Sequence, residues 1–313
     1  MSQVSRVVVF PRNGYLNRLQ AIASSQNLAQ ELNARFEICW TVEKAAPLQA
    51  SMIFQQSFID SYFREINRIE EELEISMETF APYLQQSNSI ITLAGDSLGE
   101  QHFMRELRER IYALTEPTTI VIRAGGNFSL SSEPSWKERS QWYATFQFNQ
   151  SIEHRADSAK SDRGPYLGLH LRYTDRSHET PTRAQIKKAI VQLTEKTGIR
   201  SVFIASDAKK ESYRWKEILD SLGIDNWCLE TSKDSNAFPE RGVEAFVDWR
   251  LLTRSEGIVY FSASSFGVEA AVASGKMAQS IALAPSDSIR LKNRAATLWS
   301  ALYRYPINHG WIK

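Results

Sequence analysis

His170, Arg172, Asp175, Arg176 and His178 crowd the few residues that follow the apolar run Tyr166–Leu169, so a buried strand opens directly onto charge and hydrogen-bonding groups. The two-residue period of a strand puts His170 and Arg172 on one face. A planar guanidinium suits a diphosphate, because it makes paired, charge-assisted hydrogen bonds of about 1.5–3 kcal/mol each. The same Arg172 could instead form a structural pair with Asp175 or Asp207. Further along, Ser264 and Ser265 precede the small-residue helix GVEAAVASG, whose unpaired N–H groups and positive dipole end would attract an anion. An ordinary serine N-cap is the plainer reading of the same residues. Asp248, inside VDWRLL, reads by itself as a solvated helical carboxylate. Near the start, PRNGYLNRLQAIA places Gly14 where a tight or positive-φ turn is needed, and Asn17 where it can cap a helix and offer its amide to a ligand.

The elements that would carry these groups alternate strand and helix. Val7–Phe10, Phe36–Trp40, Ser89–Ala94 and Thr118–Arg123 have strand character, with helices over Asn17–Asn33 and Gln101–Leu114. Phe63, Ile66, Ile69 and Leu73 lie at helical spacing, which predicts a charged surface helix or helical pair between Phe58 and Leu84. From Phe128 to Gln150 the pattern has no period. Its aromatics Phe128, Trp136, Trp142 and Tyr143, with Trp40, could stack on a sugar, although packing would use most of them. The second half is cleaner: strands Tyr166–Arg172, Ser201–Ala205 and Ile258–Phe261 alternate with helices Pro181–Thr197, Lys209–Leu222, Gly242–Ser255 and Ser265–Ser274. Short apolar strands between helices imply an α/β fold with mostly parallel sheets covered on both faces. Ligands of such sheets sit beyond the carboxyl ends of the strands, where HLRYTDR, ASD (Ala205–Asp207) and SASSF would converge.

At 313 residues the chain is long enough for two domains, each with its own core. The polar, Gly- and Pro-punctuated stretch Ser158–Pro165 marks the expected boundary, giving residues 1–157 and 158–313. Lys plus Arg (37) nearly balances Asp plus Glu (36), which removes the broad basic field of a nonspecific nucleic-acid binder. Cys39 and Cys228 suit reduced thiols better than a disulfide framework. The apolar run Val7–Phe10 is too short for a signal segment or a membrane span, so a soluble, cytoplasmic protein is expected. None of GxxxxGK[ST], GxGxxG, HExxH, CxxC or DxD occurs, which removes the usual support for P-loop, dinucleotide, zinc-hydrolase and metal-dependent sugar-nucleotide chemistry.

Four ordered motifs resemble the fucosyltransferase superfamily, which includes the core and rhizobial α-1,6-fucosyltransferases and the protein O-fucosyltransferases. NGYLNRLQAIASSQNLAQELNARFEICW is similar to its opening turn, helix and strand. HLRYTD is similar to its His-x-Arg motif, FIASD to its next strand motif, and DWRLLTRSEGIVYFSASSFGVEAA to its Asp-then-Ser-Ser-Phe segment. Between residues 41 and 130 no similarity is seen.

The resemblance implies a GT-B fold, two Rossmann-like domains facing across a cleft, with the last helix packing back on the first domain. It implies a GDP-sugar donor, GDP-fucose first, no cofactor and no metal, and transfer with inversion to a glycan or other hydroxyl acceptor. By motif position Arg172 would meet the β-phosphate, and Ser264, Ser265 and Phe266 the diphosphate and nucleoside. Asp207 and Asp248 would serve the guanosine end, His170 would order the site, and Asn17 would approach the donor from the other domain. Glu43, just after Trp40, is a candidate base, and a solvent-exposed loop glutamate is its plainer reading. One departure stands out: the α-1,6 branch has two consecutive arginines where this chain has Arg172 and Tyr173. That leaves the linkage open, and keeps a non-catalytic nucleotide-sugar or carbohydrate-binding protein as the competing reading.

Overall fold

The computed structural model describes residues 3–64, 90–94, 100–130, 135–174, 180–230 and 240–285. The chain divides into two compact units, Met1–Ser161 with Thr231–Arg250, and Asp162–Glu230 with Leu251–Lys313.

The first unit is built on a four-stranded sheet in the order β2-β1-β4-β3, every pairing parallel. Its strands are β1 (Val4–Pro11), β2 (Arg35–Ile38), β3 (Ile90–Ala94) and β4 (Thr118–Ala124). β1 is central, and Val7, Val8 and Val9 are fully buried, as a strand covered on both faces requires. Helix α1 (Tyr15–Glu31) is itself largely buried, including Arg18, Ser24 and Ser25. The turn before it differs from the sequence expectation. The left-handed residue is Asn13 (φ 66°), a type that tolerates this conformation, while Gly14 is extended at φ −65° and is the N-cap. Asn17 therefore sits inside the first helical turn and does not cap it.

Two short helices follow, α2 (Ala50–Ile53) and α3 (Gln56–Tyr62), and then α4 (Glu100–Tyr112), α5 (Trp136–Tyr143) and α6 (Gln150–Lys160). The helix expected from Phe58 onward ends at Tyr62. Phe63 leaves it to bridge Ile38 and to stack within an aromatic cluster around Phe54. Ring packing overrides the helical spacing there, and residues 65–89, with the rest of that expected helix, lie outside the described residues. The aperiodic stretch contains α5, started by a reciprocal Ser135/Glu138 capping box. Its neighbours Tyr143, Phe146 and Phe148 join the cluster. Phe246 and Trp249 of helix α9 (Glu240–Thr253) pack on Phe148, with ring centroids 6.2 and 5.6 Å apart.

The second unit carries a five-stranded parallel sheet, β7-β6-β5-β8-β9. Its strands are β5 (Leu167–Leu171), β6 (Ser201–Ser206), β7 (Asp225–Trp227), β8 (Ile258–Phe261) and β9 (Ile281–Leu283). β7 and β9, three residues each at the sheet edges, are too short to show a period in the sequence. Helices α7 (Arg183–Thr197), α8 (Lys209–Asp220) and α10 (Ser265–Ala273) complete the unit. α7 begins with a Thr182/Gln185 capping box and stops at Gly198, left-handed at φ 71°. Its apolar stripe, Ile186, Ile190 and Leu193, packs with Leu169, Ile204, Trp215 and Val259 in one core. The helix expected to close the chain lies beyond the described residues.

Candidate functional site

Strand order fixes where the second unit can hold a ligand. From β5 the chain moves outward through β6 to β7, then returns to lay β8 and β9 on the other side. The order reverses between β5 and β8, and their carboxyl ends flank the crevice that such a reversal leaves. His170 and Arg172 stand at one side of it, and Ser262–Phe266 at the other.

His170 is 4% exposed, and its ring stacks on Phe266 at 5.1 Å. Burial pushes its pKa down to about 3; the Arg172 charge adds to this and Asp207 partly offsets it. The imidazole is therefore neutral at ordinary pH. Its Nδ1 has no hydrogen-bond partner and faces the first turn of α10: a Cβ on Gly267 would lie 2.7 Å from it and 2.7 Å from Tyr260 Cβ. Gly267 thus lets the helix end approach the strand end. Ser264 holds the N-cap position of α10 yet caps nothing, and its Oγ is buried without a partner. Two unmatched polar atoms beside an uncapped helix N-terminus make a receptor for an anion.

Asp207 is heavily engaged. Its carboxylate accepts hydrogen bonds from the Tyr173 N–H (2.8 Å), the Thr174 N–H (3.2 Å) and the Thr174 hydroxyl (2.6 Å). Arg172 Nε stands 3.9 Å from Asp207 Oδ2, at the limit of an ion pair. Asp207 therefore fixes the loop after β5 and sets the start of the Arg172 side chain. Tyr173 turns into the core: its hydroxyl accepts from Trp215 Nε1 (3.3 Å) and its ring meets Phe261 edge-on at 5.9 Å. Here the residue after Arg172 packs on the core.

The remaining expected residues belong to the first unit. Asp248, on α9, is half-buried; loss of solvent, and then the neighbouring Glu244, push its carboxyl up to about 8, with Arg155 opposing. Asn17 is half-buried in the first turn of α1. Glu43 makes a 3.1 Å ion pair with the fully buried Arg18, and accepts from the Thr41 hydroxyl at 2.9 Å. Arg18 also donates to the Asn13 and Thr41 carbonyls and lies over the Trp40 ring at 4.9 Å. Trp40 and Phe128, expected as packing or stacking groups, are buried.

Arg18 escaped the sequence reading, although it stands in the turn motif itself. A cation two helical positions from a core leucine looks solvated until burial is known. Arg12 and Arg123 were missed for the same reason.

No protein-family model and no curated protein sequence matches the chain. Solved structures do. NodZ α-1,6-fucosyltransferase soaked with GDP-fucose aligns at 15% identity and TM-score 0.55, over 86% of this chain and 92% of that one; the same enzyme is described as coming from Bradyrhizobium. POFUT1 in complex with GDP-fucose aligns at 12% identity and TM-score 0.53, over 91% and 99%. A mutant of FUT1 from Arabidopsis thaliana in complex with GDP aligns at 13% identity and TM-score 0.60, over 87% and 69%. Two parallel α/β sheets with these likenesses show that the chain shares the GT-B fold of these fucosyltransferase structures.

Proposed function

We propose that the chain is an inverting, metal-independent glycosyltransferase that moves fucose, or a closely related sugar, from its GDP ester to a hydroxyl of a glycan or similar acceptor. The observation that supports this most is the strand reversal at β5 and β8, where Arg172 stands across from the α10 N-terminus with its orphaned Ser264 hydroxyl and His170 Nδ1.

The chemistry follows from where charge develops. Breaking the sugar–phosphate bond leaves negative charge on GDP while the ring becomes oxocarbenium-like. A fixed guanidinium and oriented N–H groups stabilise that charge without reorganising. His170, being neutral, neither competes for the phosphate as a counter-ion nor supplies a proton; it holds Phe266 and the helix end in place. In this reading Ser265 and Phe266 line the diphosphate and nucleoside and Asp207 orients the Arg172 loop, while a donor role for Asp248 and Asn17, which belong to the first unit, rests on motif resemblance alone. Glu43, the candidate base, already serves as counter-ion to Arg18, and the countercharge role is the one we assign to it. No helix of the described residues is long and apolar enough to cross a membrane. A cytoplasmic setting belongs to the proposal, in keeping with the free thiols of Cys39 and Cys228.

The test is calorimetric titration with GDP, GDP-fucose, GDP-mannose and UDP-glucose, each with and without EDTA, followed by transfer to an acceptor panel. Micromolar, EDTA-insensitive binding confined to the GDP ligands is expected, with GDP-fucose turned over. Binding without transfer to any acceptor would establish the non-catalytic alternative, and absence of binding would remove the donor assignment.

A further inference from the structure

The first sheet has a reversal of its own. β1 leads outward to β2 on one side, while β3 and β4 fill the other, so the chain direction changes between β1 and β4. A crevice lies beyond their carboxyl ends for the same topological reason as in the second unit. Three arginines collect at this edge. Arg12 directly follows β1, Arg123 is the next-to-last paired residue of β4, opposite Phe10, and Arg18 is the fourth residue of α1.

Their charges oppose one another. Burial lowers the pKa of Arg18 and of Arg123, and Arg12 lowers both further, while Glu43 acts on both in the opposite sense. Arg18 is occupied in bracing the Asn13 and Thr41 carbonyls. Arg12 is not. It makes no ion pair among the described residues, and its Nε is buried without a hydrogen-bond partner. Arg18 Nη2 lies 3.1 Å from Glu43 Oε2, so the pair with Glu43 leaves Arg12 as the cation of this edge without a protein counter-ion among the described residues. The adjoining N-terminus of α1 has no side-chain cap and no acidic residue in its first turn. The arginine-bearing turn is also held firmly, since a Cβ on Gly125 would come within 2.5 Å of Asn13 Nδ2 and 2.9 Å of the Arg12 carbonyl. Like charges gathered at a partly desolvated edge cost stability unless an anion joins them, and such arrangements mark ligand sites.

We propose that this edge binds an oxyanion carried by the acceptor, so that the acceptor is an acidic glycan bearing a carboxylate, sulfate or phosphate group. The inference rests on the reading above for one point only: the donor's diphosphate is taken by the second unit, which leaves the anion of the first to the acceptor. Arg12 is the residue that discriminates, because its planar fork is the one not engaged with protein.

The experiment uses the full chain and three matched disaccharides, one ending in glucuronate, one carrying a 6-sulfate and one neutral, with GDP titrated separately. At least one charged sugar is expected to bind about tenfold or more tighter than the neutral one, as a charge-assisted bond implies. Arg12→Gln should abolish that preference and leave GDP affinity unchanged. Arg12→Lys, which keeps the charge and loses the fork, replaces it if the glutamine variant melts below wild type, and should retain a reduced preference. Which charged sugar wins names the anion. Equal binding of all three sugars, or a preference that survives the substitution, would overturn the proposal; so would weakened GDP binding in the variant, which would assign the arginines to the donor. Acid-selective sugar binding without GDP binding would sink the donor reading and leave this site standing.

Discussion

Two side chains, Arg172 and Glu43, show how environment separates the roles proposed for them. Arg172 is partly exposed beside Asp207, so replacing it should disturb the core little and read out the donor role proposed for it. Arg172→Ala should weaken GDP binding by roughly ten- to a hundredfold, the loss of one charge-assisted contact. Its melting temperature should stay near that of wild type, as for other partly exposed substitutions. Calorimetry and a thermal melt check both, and normal GDP affinity would remove Arg172 from the site. Glu43→Gln separates a base from a counter-ion: the substitution leaves buried Arg18 without its charge partner, at a cost of about 1–3 kcal/mol of stability. A variant that melts like wild type and only loses turnover would restore the catalytic role. The positions of His170 and Arg172 at a strand end and of Ser264 before a helix were legible from strand period and a helix start, whereas Phe266 was singled out by the resemblance alone. The tasks of Asp207 and Glu43 were not, since both depend on partners remote in the chain.

Elements show the same division between local and remote causes. β5 and β8 were legible to within a residue or two because burial on both faces leaves an apolar run, and α7 because its stripe Ile186, Ile190 and Leu193 recurs at helical spacing. Phe63 left its expected helix, and Asn13 took the left-handed position expected of Gly14, because contacts across the unit decided both. Helix α9 holds the clearest pH dependence. Asp248 titrates near 3.8 when unfolded and is pushed up to about 8 when folded. The folded chain therefore binds the extra proton between those values. That contribution to stability is complete below about 3.8 and is lost as pH rises through 8. Asp248→Asn should match wild type near pH 4 and be the more stable protein at pH 8 and above, as denaturant unfolding at the two pH values would show. An unchanged difference across the range would mean that Asp248 is ionised in the fold. Weaker GDP binding by the same variant would separately support its donor role.

At the scale of the whole molecule, the two sheets were legible from their alternating elements, and the expected boundary after residue 157 falls near the end of α6 at Lys160. The return of Thr231–Arg250 to the first unit was not legible, because nothing in an amphipathic helix says which sheet it covers. Phe246 packs on Tyr15 at 5.1 Å, Trp249 meets Tyr143 at 5.9 Å, and Arg250 pairs with Glu153 at 2.8 Å. Cutting between Ser161 and Asp162 should therefore leave both halves poorly soluble when expressed singly, with folded protein recovered on co-expression. Gel filtration and circular dichroism would decide, and a cooperative melt from the second half alone would count against the discontinuous unit.

That discontinuity also orders events during synthesis. The first unit cannot be completed when Ser161 leaves the ribosome; it must wait for α9, and at roughly 5–20 residues per second the delay is on the order of ten seconds. For that interval the aromatic cluster around Phe148 is open to whatever meets it, so slow translation between residues 162 and 250 would expose the nascent chain to aggregation, and a holdase would find its client there.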